Sequence, residues 1–157
     1  MLLEGSCHCG KVGFSLNSAT PQPYMRCWCS ICRKTAGGGG FAINIMGEYK
    51  TLQVRGKSNI AVYRVLLDGV PSDAHRHFCK HCGSALWVWS PNWPELVHPF
   101  ASAIDTALPR PREWADIMLS YKVGWAPEFR GRSIRRFDEY PAESIADWHR
   151  ARGLTVG

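Results

Sequence analysis

The chain has 157 residues, of which 45% are hydrophobic and 20% charged, and its formal net charge is +6 at pH 7. These values are ordinary for a soluble globular protein, and they predict a single domain over residues 1–157. No apolar run of about 18 residues is present, which excludes a membrane-spanning helix, and residues 1–5 lack the pattern of a secretory signal. We therefore expect a cytoplasmic protein.

Six segments have the composition of short strands, because they alternate in hydrophobicity or are rich in β-branched and aromatic residues. In chain order they are residues 11–16, 41–46, 51–55, 59–67, 85–89 and 117–123. Residues 142–150 predict a helix, with Pro141 at its start, Ile145 and Trp148 on one face, and Gly153 beyond its end. The pattern predicts a mainly β fold of short strands.

The strongest functional signal is the spacing of the seven cysteines, which form three clusters. Cysteines one to three residues apart do not easily bond to one another, but they readily direct their sulfurs to a common metal. Thiols stay reduced in the cytosol, and an odd number of cysteines would leave one thiol over in a disulfide framework. We therefore interpret the clusters as metal ligands.

The first and third clusters together predict a closed zinc site. Cys79 and Cys82 have the spacing of a zinc knuckle, and Gly83 permits the tight turn behind them. Cys7 and Cys9 complete four sulfur ligands, and the joined clusters close a long loop of the chain. A redox pair at Cys79 and Cys82 is the alternative, but no thioredoxin-like strand and helix surround it.

The middle cluster predicts a second zinc site with one open position. Cys27, Cys29 and Cys32 supply three thiolates, and the fourth ligand must be water, a distant side chain or a substrate thiol. Because zinc lowers the pKa of a bound thiol, such a site is suited to binding and activating a small thiol. The alternative is a second structural site completed by a histidine; the candidates are His8, His75, His77, His81 and His98. Seven cysteines also allow other ways of sharing ligands.

The residues after the middle cluster are candidate contacts to a thiol substrate. Arg33 and Lys34 place two cations beside it, and Gly38 and Gly39 lie in a glycine run that lets the backbone approach a ligand. The alternative is a solvated basic turn followed by a flexible loop. Seven thiolates and two Zn²⁺ ions would lower the formal charge from +6 to +3. That mildly basic balance suits a small anionic ligand better than nucleic acid, which we do not expect as a partner.

Four motifs give the chain its resemblance to a known family. They are residues 5–12 (GSCHCGKV), 27–34 (CWCSICRK), 78–84 (FCKHCGS) and 122–125 (KVGW). With these motifs the chain resembles the glutathione-dependent formaldehyde-activating enzymes, also called the CENP-V/GFA domain family, over nearly its whole length. The resemblance implies an Mss4-like fold, in which several short, coiled antiparallel sheets are stapled by zinc. The short helix predicted at the carboxyl end comes from the residues of this chain.

The resemblance also implies ligand sets and an activity. Cys7, Cys9, Cys79 and Cys82 would hold the structural zinc; the catalytic zinc would lie on Cys27, Cys29 and Cys32. The family's named activity is that of a carbon–sulfur lyase, which joins glutathione and formaldehyde into S-hydroxymethylglutathione. Zinc would hold glutathione as a thiolate or polarise the carbonyl group. The implied partners are a small thiol and an aldehyde.

The chain departs from the family pattern near its carboxyl end. Where many members have a histidine and a proline, this chain has Asp116 and Gly124. If the histidine of relatives contacts substrate, a different substrate is expected here. The later arginines form either an edge for an anionic ligand or a solvated face; they are Arg130, Arg132, Arg135 and Arg136.

Two other function classes remain open from the sequence. A non-catalytic module could use two structural zincs to stiffen a surface for a protein or nucleic acid. A metal carrier or redox sensor would hold its middle metal loosely and oxidise readily at Cys27, Cys29 and Cys32. The metal could also be iron, which accepts sulfur-rich tetrahedral sites. Assembly into a homo-oligomer is compatible with every one of these functions.

Overall fold

In the computed structural model, which describes residues 1–154, short strands dominate, with two short α-helices and four 3₁₀ turns. The first eight strands are β1 (Leu2–Ser6), β2 (Gly13–Asn17), β3 (Tyr24–Cys27), β4 (Ala42–Asn44), β5 (Gly47–Glu48), β6 (Gln53–Arg55), β7 (Ile60–Tyr63) and β8 (Leu66–Leu67). The next six are β9 (Val70–Pro71), β10 (His75–Cys79), β11 (Ala85–Trp89), β12 (Leu96–Pro99), β13 (Trp114–Ile117) and β14 (Ile134–Arg136). The helices are α1 (Ser30–Ala36) and α2 (Ile145–Ala151). Within residues 1–154, no helix has the length and hydropathy needed to cross a membrane.

The strands form several small sheets, which confirms the mainly β fold. One sheet has the order β1-β2-β6, a second β5-β12-β11-β10-β7, a third β14-β13-β3-β4, and β8 and β9 make a separate hairpin. Most pairings are antiparallel, as expected. The exception is β13, which runs parallel to both β3 and β14 and so adds a mixed sheet to the expected antiparallel ones.

The main core joins the three-stranded sheet to the five-stranded sheet. Alternation along β1 and β2 turns Leu3, Phe14 and Leu16 inward, where they meet Leu86 and Trp87 of β11. The rings of Phe14 and Trp87 pack edge to face with centroids 5.1 Å apart. This contact fixes β11 against the hairpin of β1 and β2, and it thereby brings the first and third cysteine clusters to the same end of the molecule.

A second buried cluster surrounds the middle cysteines themselves. Cys27, Cys29 and Cys32 pack with apolar side chains from β4, β11 and β13 and with Phe100. Aliphatic and aromatic neighbours exclude water from the sulfur atoms on most sides. The middle cluster therefore lies inside the fold rather than on an exposed loop.

The predicted strands agree with the structure to different extents. Residues 85–89 coincide with β11, residues 11–16 overlap β2, and residues 51–55 contain β6. Residues 41–46 contain the short strand β4, and residues 59–67 contain β7 and β8 with two residues between them. The strand predicted over residues 117–123 is wrong: β13 ends at Ile117, Met118 has a left-handed φ of 61°, and a 3₁₀ turn follows at Leu119–Tyr121.

The helix predictions were right at the carboxyl end and incomplete at the middle cluster. Helix α2 begins at Ile145, three residues after the predicted start. Ser144, rather than Pro141, caps the helix by accepting a hydrogen bond from the Asp147 backbone N–H. The seven residues of α1 were not predicted. They carry no apolar repeat at helical spacing, and cysteine is not among the usual capping residues, so neither helix signal was present.

Candidate metal centres and the adjoining cavity

The first cysteine site is built from two hairpin turns of similar construction. Gly10 follows Cys7 and Cys9 with a φ of 73°, and its N–H donates to the carbonyl of Cys7 at 2.9 Å. Gly83 follows Cys79 and Cys82 with a φ of 74°, and its N–H donates to the Cys79 carbonyl at 2.8 Å. Only glycine adopts this left-handed backbone without strain. Each turn thus curls two sulfurs toward the other turn.

The four sulfurs of this site have the spacing that a tetrahedral zinc requires. All four lie within 4.8 Å of one another, with 3.5 Å between Cys7 and Cys9 and 3.7 Å between Cys9 and Cys79. Zinc–sulfur bonds of about 2.3 Å give a tetrahedron with edges of about 3.8 Å. Cys7 and Cys79 are buried, while Cys9 and Cys82 are exposed. The donor set fits a closed zinc site.

The second cysteine site forms where β3 passes into α1. Cys27 is the last residue of β3, between Ile117 of β13 and Ala42 of β4. Cys29 caps α1, and its Sγ accepts a hydrogen bond from the Cys32 backbone N–H at 3.3 Å. A strand end, a cap and the first helical turn therefore place three sulfurs on one side of the chain.

These three thiols are close together and withdrawn from solvent. Their Sγ atoms lie within 4.8 Å of one another, and Cys27, Cys29 and Cys32 are 4%, 9% and 4% exposed. The Cys27 thiol donates to Cys29 at 3.5 Å, which lowers the pKa of Cys29 below its ordinary value and raises that of Cys27. The cluster favours at least one thiolate, the form that binds metal. Its three sulfurs fit zinc with one coordination position left over.

In the described part of the chain, no histidine or carboxylate joins the three thiols of the second site. His77 stacks on Trp87 with centroids 4.9 Å apart, and His81 Nε2 lies 2.8 Å from Asn59 Oδ1. His98 is buried with its Nδ1 3.3 Å from the Ile45 carbonyl oxygen. His75 packs on Trp89, and His8 is exposed beside the first site. This arrangement gives no support to a second site completed by histidine.

A cavity of about 360 Å³ adjoins the second site. Thr35 of α1, Arg76 of β10, Ala85 of β11 and Phe100 are among its lining residues, and Ala85 and Phe100 also pack against the three cysteines. Arg76 connects the cavity to the site, because its Nη1 donates a hydrogen bond to the Cys32 Sγ at 3.7 Å. The volume is within the range of small-molecule sites, about 300–1,000 Å³.

The predicted substrate contacts lie outside the lining of this cavity. Arg33 is half-buried, Lys34, Gly38 and Gly39 are exposed, and none of the four is among the lining residues. An added Cβ at Gly38 would meet open space. The glycine run is constrained at Gly40 instead, where φ is 96° and an added Cβ would lie 2.6 Å from that of Ala126. Their role in binding thus stays a prediction.

Asp116 has an internal partner that accounts for its presence. It is fully buried, and it accepts hydrogen bonds from Arg26, with 2.5 Å from Nε to Oδ1 and 3.2 Å from Nη2 to Oδ2. The Arg26 guanidinium lies 4.7 Å from the Trp114 ring centroid and 4.1 Å from that of Phe129. Asp116 therefore balances a buried cation between β3 and β13.

The arginines of the carboxyl-terminal region are mostly paired with acids. Arg130 and Arg136 both contact Glu128, at 2.7 and 2.9 Å, and Arg135 contacts Glu143 at 3.1 Å. These pairs use two glutamates, and no ion pair within residues 1–154 includes Arg132, so about half of the charge of the four arginines is balanced. The solvated face is the interpretation that the structure favours.

The sequence alone did not single out Arg76 as a site residue. It lies three residues before Cys79, between two histidines that were the more obvious candidate ligands. Strand alternation gave one usable signal, because Arg76 must face away from His75 and His77 on β10. Nothing local could reveal its contact with Cys32, 44 residues earlier in the chain.

The chain has clear relatives among known proteins. Residues 2–122 match the family described as glutathione-dependent formaldehyde-activating enzyme. A Halomonas elongata protein named "Putative glutathione-dependent formaldehyde-activating enzyme" is 55% identical over 157 residues, which is 100% of both chains. The crystal structure of a Rhodobacter sphaeroides protein is 28% identical with a TM-score of 0.53, covering 68% of this chain and 92% of that one. The chain belongs to the family of glutathione-dependent formaldehyde-activating enzymes.

Proposed function

We propose that this protein is a zinc-dependent carbon–sulfur lyase that joins glutathione to formaldehyde, or to a related aldehyde, as an S-hydroxymethyl-type adduct. Family membership and the name of the Halomonas elongata relative support glutathione-dependent activation of formaldehyde. The observation that carries the proposal is the second cysteine site. It offers three buried thiols and no fourth side-chain ligand within residues 1–154, and it lies beside a cavity large enough for a small molecule.

The different roles that we propose for the two cysteine sites follow from their numbers of sulfur ligands. Cys7, Cys9, Cys79 and Cys82 would hold a structural zinc with all four positions filled by sulfur. Cys27, Cys29 and Cys32 would hold the second zinc and leave room for one more ligand. When bound there, zinc would supply the positive charge that keeps a substrate thiol in its nucleophilic thiolate form at neutral pH.

In the proposed reaction, the chain binds and orients a thiol, which gives up its proton. The sulfur lone pair attacks the carbonyl carbon of formaldehyde, the C–S bond forms, and the carbonyl π pair moves to oxygen. That oxygen takes up a proton, so the adduct contains all the atoms of both reactants. Phe100, Ala42 and Ile117 surround the sulfur site and limit access of water. Arg76 contributes positive charge beside Cys32.

The test is cobalt substitution followed by titration with glutathione. Cobalt in a thiolate site gives a sulfur-to-metal charge-transfer absorption, which a further thiolate ligand changes. We expect a saturable change in the wild-type protein and none in Cys29→Ser. Cys9→Ser is the matched control, since it removes one thiol from the first site and should keep the change. Exchange spectroscopy by NMR should show that the zinc protein accelerates interconversion of glutathione and its formaldehyde adduct.

The opposite result supports the non-catalytic binding module. If both cobalt sites already show full tetrahedral spectra and glutathione changes neither, the second site is closed. Acceleration of adduct formation that survives Cys29→Ser would also contradict the proposed role of this site. The spectroscopic outcome does not depend on which aldehyde the enzyme prefers, because the titration uses glutathione alone.

A further inference from the structure

Arg76 is a half-buried arginine that contacts the second cysteine site and also lines the adjoining cavity. Its Nη1 donates to Cys32, but its Nε is buried and has no hydrogen-bond partner. None of the ion pairs within residues 1–154 includes Arg76. A buried guanidinium donor without an acceptor is unfavourable, so Arg76 has hydrogen-bonding capacity that the described residues leave unused.

The cavity beside Arg76 has a matching character. Its lining includes apolar side chains such as Phe78, Ala85 and Phe100, and none of the lining residues is acidic. An anion that enters this cavity would meet a cation and no competing carboxylate of the protein. Planar guanidinium groups bind carboxylates through two parallel hydrogen bonds, which gives both strength and orientation.

We propose that Arg76 selects the thiol substrate by its carboxylate. One edge of the guanidinium holds Cys32, and the remaining N–H donors bind a carboxylate that enters the cavity together with the thiol. The substrate class is therefore a small thiol that carries a carboxylate, such as glutathione. This inference rests on the proposed function, because it places the thiol at the second cysteine site.

A simpler role for Arg76 would leave substrate choice unaffected. Three thiolates with one zinc ion carry a net charge of −1, and a fourth thiolate would make it −2. Arg76 next to Cys32 offsets part of that charge. If this were its whole role, its removal would weaken binding of every thiol by the same factor. Comparing thiols with and without a carboxylate separates the two roles.

The experiment uses glutathione and glutathione diethyl ester on the cobalt-substituted, full-length protein. The ester keeps the thiol but lacks both carboxylates. We expect the wild-type protein to bind glutathione at least about tenfold more tightly than the ester, the effect of one charge-assisted hydrogen-bonded pair. Arg76→Gln should reduce that ratio to about one. The control is Arg112→Gln. Arg112 is exposed and lies just before the start of β13, whereas Cys27 pairs with the last residue of that strand. Its replacement removes the same charge and should keep the wild-type ratio.

Each outcome decides between the roles. A ratio that is unchanged in Arg76→Gln overturns carboxylate selection, even if both affinities fall. If that variant loses its second metal, Arg76→Lys keeps a charge beside Cys32, and the ratio should fall to an intermediate value because lysine lacks the planar fork. An unchanged ratio in the lysine variant would again overturn the proposal. Failure of the proposed function is separate, since the wild-type spectrum would then respond to neither thiol.

Discussion

Replacing Asp116 by asparagine should strongly destabilise the protein without touching the thiol site. Asp116 is fully buried and Arg26 is 5% exposed, so the substitution leaves a guanidinium charge unpaired in the interior. Breaking a buried ion pair on one side costs about 3–5 kcal/mol. The rings of Trp114 and Phe129, 4.7 and 4.1 Å from the guanidinium, continue to attract the cation. We therefore expect the lower end of that range, about 3 kcal/mol.

Urea unfolding of the zinc-loaded protein at pH 7 measures this loss. With a slope of about 2 kcal/mol per molar urea, the midpoint should fall by about 1.5 M with the slope unchanged. The double variant Arg26→Met with Asp116→Leu is the matched control, because it removes both charges and keeps apolar volume. Its stability should lie within about 1 kcal/mol of the wild type.

Two results would contradict a structural role for Asp116. If Asp116→Asn unfolds within about 1 kcal/mol of the wild type, the fold tolerates an unpaired Arg26 charge and does not depend on this ion pair. If the folded variant keeps both metals but no longer binds glutathione, Asp116 contributes to substrate binding after all. The expected result is unaltered glutathione affinity in the fraction that remains folded, because Asp116 contacts Arg26 inside the sheet.

Three further predictions address other parts of the structure. Burial lowers the pKa of His98 from 6.5 to about 4. The unfolded chain therefore binds a proton that the folded one does not, and stability should fall by about 3 kcal/mol as pH drops from 6.5 to 4. In His98→Gln, the urea midpoint should fall less between pH 6.5 and 4, because protonation of His98 no longer contributes. Gly40→Ala should lower the unfolding free energy by about 1–3 kcal/mol, since φ is 96° and the new Cβ would lie 2.6 Å from Ala126; Gly38→Ala, with open space around it, should stay within about 1 kcal/mol. Cys79→Ser should bind one zinc fewer by metal analysis and unfold roughly 10 °C lower; equal zinc content would contradict the closed first site.

Features set by short sequence distances were predicted well. The five residues of β11 have the aromatic and β-branched composition of a strand. The turn after Cys79 is likewise specified locally, by the spacing to Cys82 and by Gly83. The mainly β character follows from the same short-range signals. These elements need no knowledge of distant partners, because backbone preference and side-chain alternation act over a few residues.

Features that depend on distant packing were missed or misread. The role of Asp116 depends on β13 lying parallel to β3, which places it opposite Arg26, 90 residues earlier. The contact between Arg76 and Cys32 depends on how β10 lies against α1. A single sequence carries no direct signal for either arrangement, since the same local patterns are compatible with other sheet orders.

Under the proposed assignment, the number of ligands, rather than solvent exposure, decides which cysteine site has room for chemistry. Cys9 and Cys82 are exposed, yet their four-sulfur site can be complete. Cys27, Cys29 and Cys32 are all buried, yet three sulfurs leave one tetrahedral corner unfilled. Burial also strengthens charge interactions at the second site, because the local dielectric constant is lower than that of water. Under the same proposal, Arg76, a half-buried cation beside Cys32, would have more influence on a bound thiolate than the arginines on the exposed carboxyl-terminal face.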